Sequence, residues 1–297
     1  MENVIIIGGG PAGLSAAIYL ARANLNPLVF AGSPPGGQLI LTSEVENYPG
    51  FESILGSELI EKMRNQAKKF GARIVDENVI KVKFANKSNK TYLTNKTYES
   101  KSIIIATGAK ALWLNLPSET RLRGKGVSAC ATCDGFFFRE KTVAVIGGGD
   151  TALEEALTLT KFAKKVYIIH RRDFFRASKI MQDWAMKNEK IEVIWNSTVE
   201  EIIGEKHVEG IKIKSQILKL DGVFIAIGHK PDTDLFKGKV ELDEKGYVKI
   251  LERRRTSVKG IFVAGDCADP YYKQAVTSAG TGVEAALDAE RYLENEK

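Results

Sequence analysis

Two cysteines, Cys130 and Cys133, form the pattern with the most specific chemistry in this sequence, Cys-x-x-Cys followed by Asp134. The loop between them is too short to staple a fold, but the two thiols are close enough to cycle between dithiol and disulfide. A glycine-rich turn, Gly147-Gly148-Gly149, follows the pair. A redox-active pair near a dinucleotide site predicts that electrons from a bound nucleotide end up on sulfur.

Zinc binding is the competing use of a Cys-x-x-Cys pattern. A structural zinc site needs four ligands. The rest of the chain supplies only Cys267 and three scattered histidines, His170, His207 and His229, none at zinc-finger spacing. We therefore predict no metal site, and we expect Cys267 to be a small buried apolar residue.

Two strand–turn–helix openings position this chemistry. Val4–Ile7 leads into the turn Gly8–Gly13, and Thr142–Ile146 leads into the turn Gly147–Ala152. Each turn precedes an apolar helical stretch, as required where backbone amides and the helix dipole bind a pyrophosphate. The alternative is a pair of glycine turns in an α/β fold that binds no nucleotide, but two copies in the right context favour two dinucleotide sites.

The remaining segments complete two domains. Three further apolar segments are predicted strands, Ser102–Gly108, Gly222–Gly228 and Gly260–Asp266, and small antiparallel sheets are expected over 73–98 and 191–218. Linkers are expected near 114–117 and 230–243. We predict an α/β protein with two Rossmann-like, three-layer domains, the second (115–242) inserted into the first (1–114 and 243–297).

Composition sets the broad class. The 297 residues are 44% hydrophobic and 27% charged, which is typical of a globular protein with two domains. Apolar runs are strand-sized, so no membrane span is expected. Met1-Glu2-Asn3 lacks the basic start of a secretory signal, and three cysteines fit a reducing compartment, so we expect a cytoplasmic protein. The net charge of +6 suits an acidic protein partner, with a generally lysine-rich composition as the alternative, whereas scattered lysines argue against nucleic acid.

The end of the second strand in each domain reports on the nucleotide. The inserted domain has His170-Arg171-Arg172 there, with Arg176 close behind, and such a basic cluster suits the 2′-phosphate of NADP rather than NAD. An exposed basic loop without a ligand is the alternative. The first domain has Ala31 at the corresponding place, with no acid for a ribose hydroxyl, so that rule does not identify its nucleotide.

Several motifs together carry a family resemblance. They are Gly8–Gly13, Gly36-Gly37-Gln38-Leu39, Val45–Gly50, Cys130–Asp134, His170-Arg171-Arg172, Gly265-Asp266 and Gln274–Gly282. In this order, over nearly the whole chain, the sequence resembles the bacterial-type low-molecular-weight thioredoxin reductases, class II of the pyridine nucleotide-disulfide oxidoreductases. The resemblance implies a homodimer that binds FAD in the split domain and NADPH in the inserted one, and that reduces thioredoxin.

The motifs and the resemblance together predict the site residues. For FAD these are Gly8, Gly10, Pro11, Ala12, Gly13, Gly37, Gln38, Leu39, Asn47, Thr107, Gly108, Gly265, Asp266, Lys273, Gln274 and Ala275. For NADPH they are Gly147, Gly149, Asp150, Thr151, His170, Arg171, Arg172, Arg176, Ile227 and Gly228. The family usually carries Arg where this chain has Lys273, which keeps the charge but loses bidentate hydrogen bonding. We also expect the helix that begins near Gln274 to direct backbone amides at the flavin.

The resemblance also implies roles for the redox residues. Electrons pass from NADPH to FAD, then to the Cys130–Cys133 disulfide, then to the partner's disulfide. Cys133 faces the flavin, Cys130 attacks the substrate, and Asp134 handles the proton; from the sequence alone, Asp134-Gly135 also reads as a simple turn. Because the disulfide and the nicotinamide site both lie on the inserted domain, we expect that domain to rotate between half-reactions.

Alternative functions stay open at this point. A reductase of the same build could serve a different acceptor or use a different electron donor. A flavin-binding redox sensor, which switches a partner without turnover, is the alternative from another class.

Overall fold

The computed structural model of the chain describes residues 1–33, 35–41, 44–85 and 88–295. The strands are β1 (Glu2–Ile7), β2 (Leu28–Phe30), β3 (Glu44–Val45), β4 (Ile54–Leu55), β5 (Arg73–Val75), β6 (Lys81–Lys83), β7 (Asn89–Tyr92), β8 (Thr97–Ile105), β9 (Ala109–Ala111), β10 (Val127–Ser128), β11 (Thr142–Ile146), β12 (Lys165–Ile169), β13 (Ile191–Ile194), β14 (Val199–Ile203), β15 (Gly210–Ile213), β16 (Gln216–Lys219), β17 (Gly222–Ile225), β18 (His229–Pro231) and β19 (Ile261–Val263). The α-helices are α1 (Pro11–Arg22), α2 (Gly56–Lys69), α3 (Pro117–Leu122), α4 (Ala131–Asp134), α5 (Asp150–Leu159), α6 (Lys179–Lys187) and α7 (Ala275–Asn295). Short 3₁₀ turns cover Gly37–Leu41, Gly135–Phe138, Asp234–Phe236 and Gly265–Cys267.

The chain divides into two compact units. The split unit consists of residues 1–110 and 230–297, and the inserted unit consists of residues 111–229. The two connecting strands, β9 and β18, pair with each other. An α/β chain with a second unit inserted into the first is the architecture that the sequence predicts.

The split unit is built on a sheet in which β5, β2, β1, β8 and β19 are parallel. β1 pairs with β8 from Glu2 opposite Ser100 to Ile7 opposite Ile105. The other edge of β8 pairs first with β7, antiparallel, and then with β19, parallel. The strand order reverses between β1 and β8, and in open sheets ligands bind at the carboxyl end of such a switch point.

The inserted unit repeats this plan. Its five-stranded parallel sheet has the order β10-β17-β11-β12-β13, so the order reverses between β11 and β17. A separate antiparallel sheet, β14-β15-β16, follows β13 in the chain. The two carboxyl-end switch points are therefore the places where the glycine turns lie, after β1 and after β11.

Small residues let the helices pack close to the turns. The last residues of β1, Val4–Ile7, are all buried, as expected for a strand covered on both faces. α1 buries Ala12, Ala16 and Ala17 in a core that it shares with α7. A Cβ atom at Gly282 of α7 would lie 2.1 Å from the carbonyl oxygen of Ala12, so only glycine permits this approach.

The predicted antiparallel sheets begin too early in the chain. Arg73–Val75 and Ile191–Ile194 are edge strands of the two main sheets, and each pairs in parallel with its neighbour, β2 or β12. Edge strands are partly exposed, so their mixed polar and apolar sequence resembles that of a half-buried antiparallel strand. The antiparallel parts are β6-β7-β8 and β14-β15-β16.

The bounds of the two compact units also differ from the predicted domain ranges at both linkers. Residues 114–117 are not a free linker, because the fully buried Glu119 accepts hydrogen bonds from the backbone N–H of Leu114 (2.8 Å) and Asn115 (3.0 Å). Residues 230–242, which the sequence analysis assigns to the inserted domain, include Phe236 and Val240, and both lie in the core of the split unit. The boundaries therefore lie closer to the paired strands β9 and β18.

Within the described part of the chain, no helix combines the length and the apolar character that a membrane crossing requires.

Candidate functional site

Close backbone contacts shape the first glycine turn. A Cβ atom at Gly8 would lie 2.0 Å from the carbonyl oxygen of Ala106, and one at Gly13 would lie 2.0 Å from the carbonyl oxygen of Gly8. Such a Cβ at Gly10, in contrast, would have no protein atom within 4 Å. Protein packing therefore explains Gly8 and Gly13, whereas the space beside Gly10 is open to a ligand.

Predicted residues from other segments of the split unit meet this turn. Pro11 stands at the first position of α1, where a missing N–H costs nothing. Gly37 lies close to the glycine turn, since a Cβ there would lie 3.7 Å from the Cα of Gly10. Thr107 and Gly108 follow Ala106, and a Cβ at Gly108 would also meet nothing within 4 Å. The 3₁₀ turn that begins at Gly37 also carries Gln38 and Leu39, and the Leu39 side chain packs against the small core around Leu14 and Leu59.

Asp266 lies beyond the carboxyl end of β19, at the same edge of the sheet. Burial raises the pKa of its carboxyl above the ordinary 3.8, and a hydrogen bond from Ser278 opposes that rise. The Ser278 hydroxyl donates to Oδ1 at 2.6 Å. The neighbouring Gly265 lies against α1, since a Cβ there would be 2.9 Å from the Cβ of Ala12. The predicted acid thus lies next to the first turn of α1.

The start of α7 brings together motifs from opposite ends of the chain. Asn47 Nδ2 donates to Gln274 Oε1 at 3.4 Å. The helix begins at Ala275, as predicted. Before it, Lys273 has a φ of 49°, and the carboxylate of Asp269 accepts hydrogen bonds from the backbone N–H groups of Tyr271 and Tyr272 at 2.8 and 3.0 Å. Asp269, which the sequence analysis did not single out, therefore shapes the loop that presents Lys273 and Gln274.

The second glycine turn has the same design. Gly147 has a φ of 155°, and a Cβ there would lie 2.4 Å from the carbonyl oxygen of Ala226. A Cβ at Gly149 would meet nothing within 4 Å. α5 begins at Asp150 and carries Thr151 in its first turn. Ile227, which is 38% exposed, and Gly228 continue from Ala226 past the end of β17. The predicted residues after β11 and β17 therefore meet at one edge of the inserted sheet.

The basic loop after β12 is held against this turn. The backbone N–H of Arg176 donates to the carbonyl oxygen of Gly148 at 2.8 Å, and that of Ser178 donates to Asp150 Oδ1 at 2.8 Å. The side chains of Arg171, Arg172 and Arg176 are all exposed. The loop thus presents three permanent charges beside the glycine turn.

His170 differs from the three arginines. Its side chain is only 5% exposed, and a Cβ at Gly148 would lie 2.3 to 2.7 Å from three atoms of its ring. Burial lowers the pKa of its imidazole, and the three arginines lower it further, against a raising hydrogen bond to the Phe174 backbone. The ring is therefore neutral at physiological pH, and it packs against the glycine turn instead of adding a fourth charge to the basic loop.

The redox turn lies on the same unit. Cys130 and Cys133 are joined in a disulfide, with their Cα atoms 5.3 Å apart. Cys130 caps α4, and its Sγ accepts a hydrogen bond from the backbone N–H of Cys133 at 3.2 Å. Burial raises the pKa of Asp134, while a hydrogen bond from Ser128 partly opposes that rise. A half-buried disulfide therefore lies next in the chain to an acid that binds its proton more tightly than usual.

Two residues that the sequence analysis missed hold this turn. Ser128 Oγ accepts a hydrogen bond from the Cys130 N–H at 3.0 Å, and the Glu155 carboxylate accepts one from the Ala131 N–H. Ser128 stands two residues before Cys130, so its proximity was a usable signal. Glu155 lies on α5, 24 positions after Ala131, and no local pattern connects the two.

Among the described residues, no three His, Cys, Asp or Glu side chains lie close enough together to hold a metal ion. Cys267 is fully buried, and burial raises the pKa of its thiol to about 11. The donor chemistry instead fits dinucleotides: open space beside Gly10, Gly108 and Gly149, backbone amides at two helix starts, and three exposed arginines at one of them.

Comparisons with known proteins agree with this reading. The sequence profile of the pyridine nucleotide-disulphide oxidoreductases matches residues 2–282. A thioredoxin reductase from Rickettsia conorii is 53% identical over 98% of both chains. The solved thioredoxin reductase from Giardia duodenalis covers 98% of both chains at 44% identity and a TM-score of 0.93, and that from Streptococcus pyogenes covers 99% of both at 41% and 0.95. The chain therefore belongs to the pyridine nucleotide-disulphide oxidoreductase family.

Proposed function

We propose that this protein is an NADPH-dependent thioredoxin reductase, which uses FAD and the Cys130–Cys133 disulfide to reduce the disulfide of thioredoxin. The observation that carries the proposal is the closed Cys-x-x-Cys pair on the same unit as a glycine turn with an arginine loop. Full-length similarity to proteins named thioredoxin reductase supports the same substrate. In the net reaction NADPH gives a hydride, which is two electrons and one proton, and the solvent gives a second proton. Together they reduce the partner's disulfide to two thiols.

Each unit would hold one cofactor. FAD would lie on the split unit along Gly8–Gly13 and near Asp266, with Gln274 presented from the start of α7 and Asn47 hydrogen-bonded to it. NADPH would lie on the inserted unit at Gly147–Thr151, with its 2′-phosphate at Arg171, Arg172 and Arg176. Bound FAD supplies a two-electron carrier between the nicotinamide and the disulfide.

The cysteines have distinct roles in this proposal. After reduction, the Cys133 N–H that donates to Cys130 Sγ stabilises a thiolate at Cys130, which makes Cys130 the attacking nucleophile. Attack on the partner's disulfide forms a mixed disulfide and expels a thiolate, which must be protonated. Asp134 supplies that proton, and its raised pKa suits it to carry one. Cys133 then attacks the mixed disulfide, which closes the Cys130–Cys133 bond and expels the second thioredoxin sulfur; that sulfur takes up the proton that Cys133 gives up.

An anaerobic NADPH titration of the flavin-loaded protein tests the proposal. Two hydride equivalents consumed per chain are expected, one for the flavin and one for the disulfide, and one equivalent in a Cys130→Ser, Cys133→Ser double variant. Consumption of one equivalent by the wild type would mean that the cysteines are outside the electron path. Absence of flavin bleaching by NADPH, with bleaching by dithionite, would exclude NADPH as the donor.

Partner, assembly and motion complete the proposal. Steady-state turnover with oxidised thioredoxin separates a reductase from a redox sensor, and a comparison of disulfide proteins by kcat/KM identifies the acceptor. We propose a homodimer, which the resemblance supports and sedimentation equilibrium tests. We propose also a cytoplasmic location, because three cysteines fit a reducing compartment. We propose also that the inserted unit rotates between half-reactions, and a cross-link between the units that left turnover unchanged would exclude this.

A further inference from the structure

The redox turn is anchored to the nucleotide-binding helix. α5 begins at Asp150, directly after the open glycine Gly149, and five residues after Asp150 the Glu155 carboxylate accepts a hydrogen bond from the backbone N–H of Ala131, the residue after Cys130. A Cβ at Gly135 would lie 3.5 Å from Leu159 Cδ2, so the end of the redox turn also packs on α5. At a rise of about 1.5 Å per residue, Asp150 and Glu155 are separated by roughly 7.5 Å along the helix axis.

The Ala131 N–H needs such an acceptor. Ala131 is the first residue of α4, and the first N–H groups of a helix have no partner within it. Ala131 is also 1% exposed, so water does not readily replace Glu155. A bond from a buried N–H to a carboxylate is among the stronger hydrogen bonds in proteins.

We propose that Glu155 is a positioning residue for the redox reaction: its hydrogen bond to Ala131 holds the Cys130–Cys133 turn in the closed geometry and fixes it relative to the NADPH site on the same helix. This rests on the proposed function, in which the pair cycles between disulfide and dithiol. The bond is present while the disulfide is closed, so its loss raises the free energy of the closed state, whereas an opened turn is free to relax without it.

Two conservative substitutions distinguish the contribution of the length of the Glu155 side chain from that of its charge. Glu155→Gln keeps the length of the side chain and an oxygen acceptor but removes the charge. Glu155→Asp keeps the charge but shortens the reach by one methylene. Glu192→Gln is the matched control, because it removes a carboxylate of the same unit that pairs with Lys165 on the surface.

The readout is the thiol–disulfide equilibrium of the flavin-loaded protein in glutathione buffers of stepped ratio. Two glutathione thiols lose two electrons and two protons to form one disulfide, while Cys130 and Cys133 gain them. Alkylation after denaturation counts one thiol per oxidised chain, from Cys267, and three per reduced chain. No NADPH or thioredoxin is needed.

We expect Glu155→Asp to shift the equilibrium about tenfold toward the dithiol, or about 30 mV. Glu155→Gln should stay within about threefold of the wild type, and Glu192→Gln should match it. A shift in the Gln variant as large as or larger than in the Asp variant, or no shift in either, would overturn the proposal. A wild-type pair that stays closed both in glutathione and after reduction of the flavin by dithionite would overturn the proposed function itself, and this inference with it.

Discussion

The glycine turns of the split unit and the inserted unit make the same kind of close contact with a backbone carbonyl, but different side chains pack against them. In each, the first glycine lies against a backbone carbonyl of the neighbouring strand end, Ala106 for Gly8 and Ala226 for Gly147, and the third glycine faces open space. The middle glycine is where the two turns diverge. A Cβ at Gly9 would lie 2.5 Å from the Cβ of Ala31, whereas one at Gly148 would lie 2.3 Å from the Nδ1 atom of the His170 ring.

That difference shows how one fold serves two nucleotides. In both units the residue after the second strand, Ala31 or His170, packs against the glycine turn. The units differ in the charge of the loop that follows this residue. In the inserted unit His170 is buried and neutral, and the proposed function assigns charge recognition to the exposed arginines behind it. In the split unit Ala31 leaves that place without charge. The inserted unit also carries the disulfide, at the start of α4, where the Ala131 N–H donates to Glu155 of α5.

The largest expected effect concerns the redox turn, which only the inserted unit has. Asp134→Asn should reduce thioredoxin turnover by roughly 10²- to 10⁴-fold, because the variant lacks the proton donor, while flavin content stays unchanged. The raised pKa of Asp134 means that the folded protein binds this proton more tightly than the unfolded chain. Its stabilising contribution is therefore complete below the ordinary pKa of 3.8 and is lost as the pH rises through the raised value.

Thermal unfolding of the oxidised protein at several pH values tests the direction in which Asp134 changes the stability. The Asn variant should be more stable than the wild type at neutral pH, and the difference should disappear as the pH falls below about 4. Equal turnover of the two proteins, or a variant less stable at neutral pH, would contradict the role of Asp134 as a buried acid.

Next in size is an effect on the stability of the inserted unit alone. Glu119→Ala leaves two backbone N–H groups and the partly buried Arg123 without their acceptor. We expect a loss of about 3–5 kcal/mol in the free energy of unfolding. Calorimetry of the flavin-loaded protein should show a lowered transition for the inserted unit with flavin release unchanged. Glu205→Ala, an exposed carboxylate of the same unit, should have no measurable effect, and a matching loss there would contradict the argument.

The arginine loop tests whether charge separates the two nucleotide sites. Arg171→Ala with Arg172→Ala should raise the KM for NADPH about 10- to 100-fold and the KM for NADH much less, because only NADPH carries the 2′-phosphate. Flavin content should not change. Lys187→Ala, an exposed cation at the end of α6, serves as the control. Equal effects on both nucleotides would remove the assignment of NADPH.

The smallest expected effect comes from the open glycines. Gly10 and Gly149 have φ values of −81° and −99°, which alanine adopts freely, so Gly10→Ala and Gly149→Ala should change stability by less than about 1 kcal/mol. Gly10→Ala should lower the flavin content, and Gly149→Ala should raise the KM for NADPH about tenfold, each without the other effect. If both variants lost flavin, the two sites would not be separate.

Much of the fold and the site was predictable because the signals are local. The glycine turns were identified from their strand and helix context, and the structure places the turns at the ends of β1 and β11. The start of α7 at Ala275 was predicted to within a residue. The strands β5 and β13 were expected within the antiparallel sheets, and their parallel pairing was missed because partial exposure gives them a mixed polar and apolar sequence. The linkers were misplaced because the burial of Phe236 and Glu119 depends on contacts that no spacing encodes.

The sequence by itself determined the residue types that chemistry requires: a close pair of cysteines, glycines where a backbone must approach a phosphate, and arginines at the end of a strand. Their spacing follows from the fixed periods of helices and strands, so it can be read along the chain. Only the tertiary structure decided which of them act together. The contact of Glu155 with Ala131, the neutral His170 under Gly148 and the bond between Asn47 and Gln274 join residues 22 to 227 positions apart. Such contacts depend on how elements pack, and packing is a property of the whole fold rather than of any one segment.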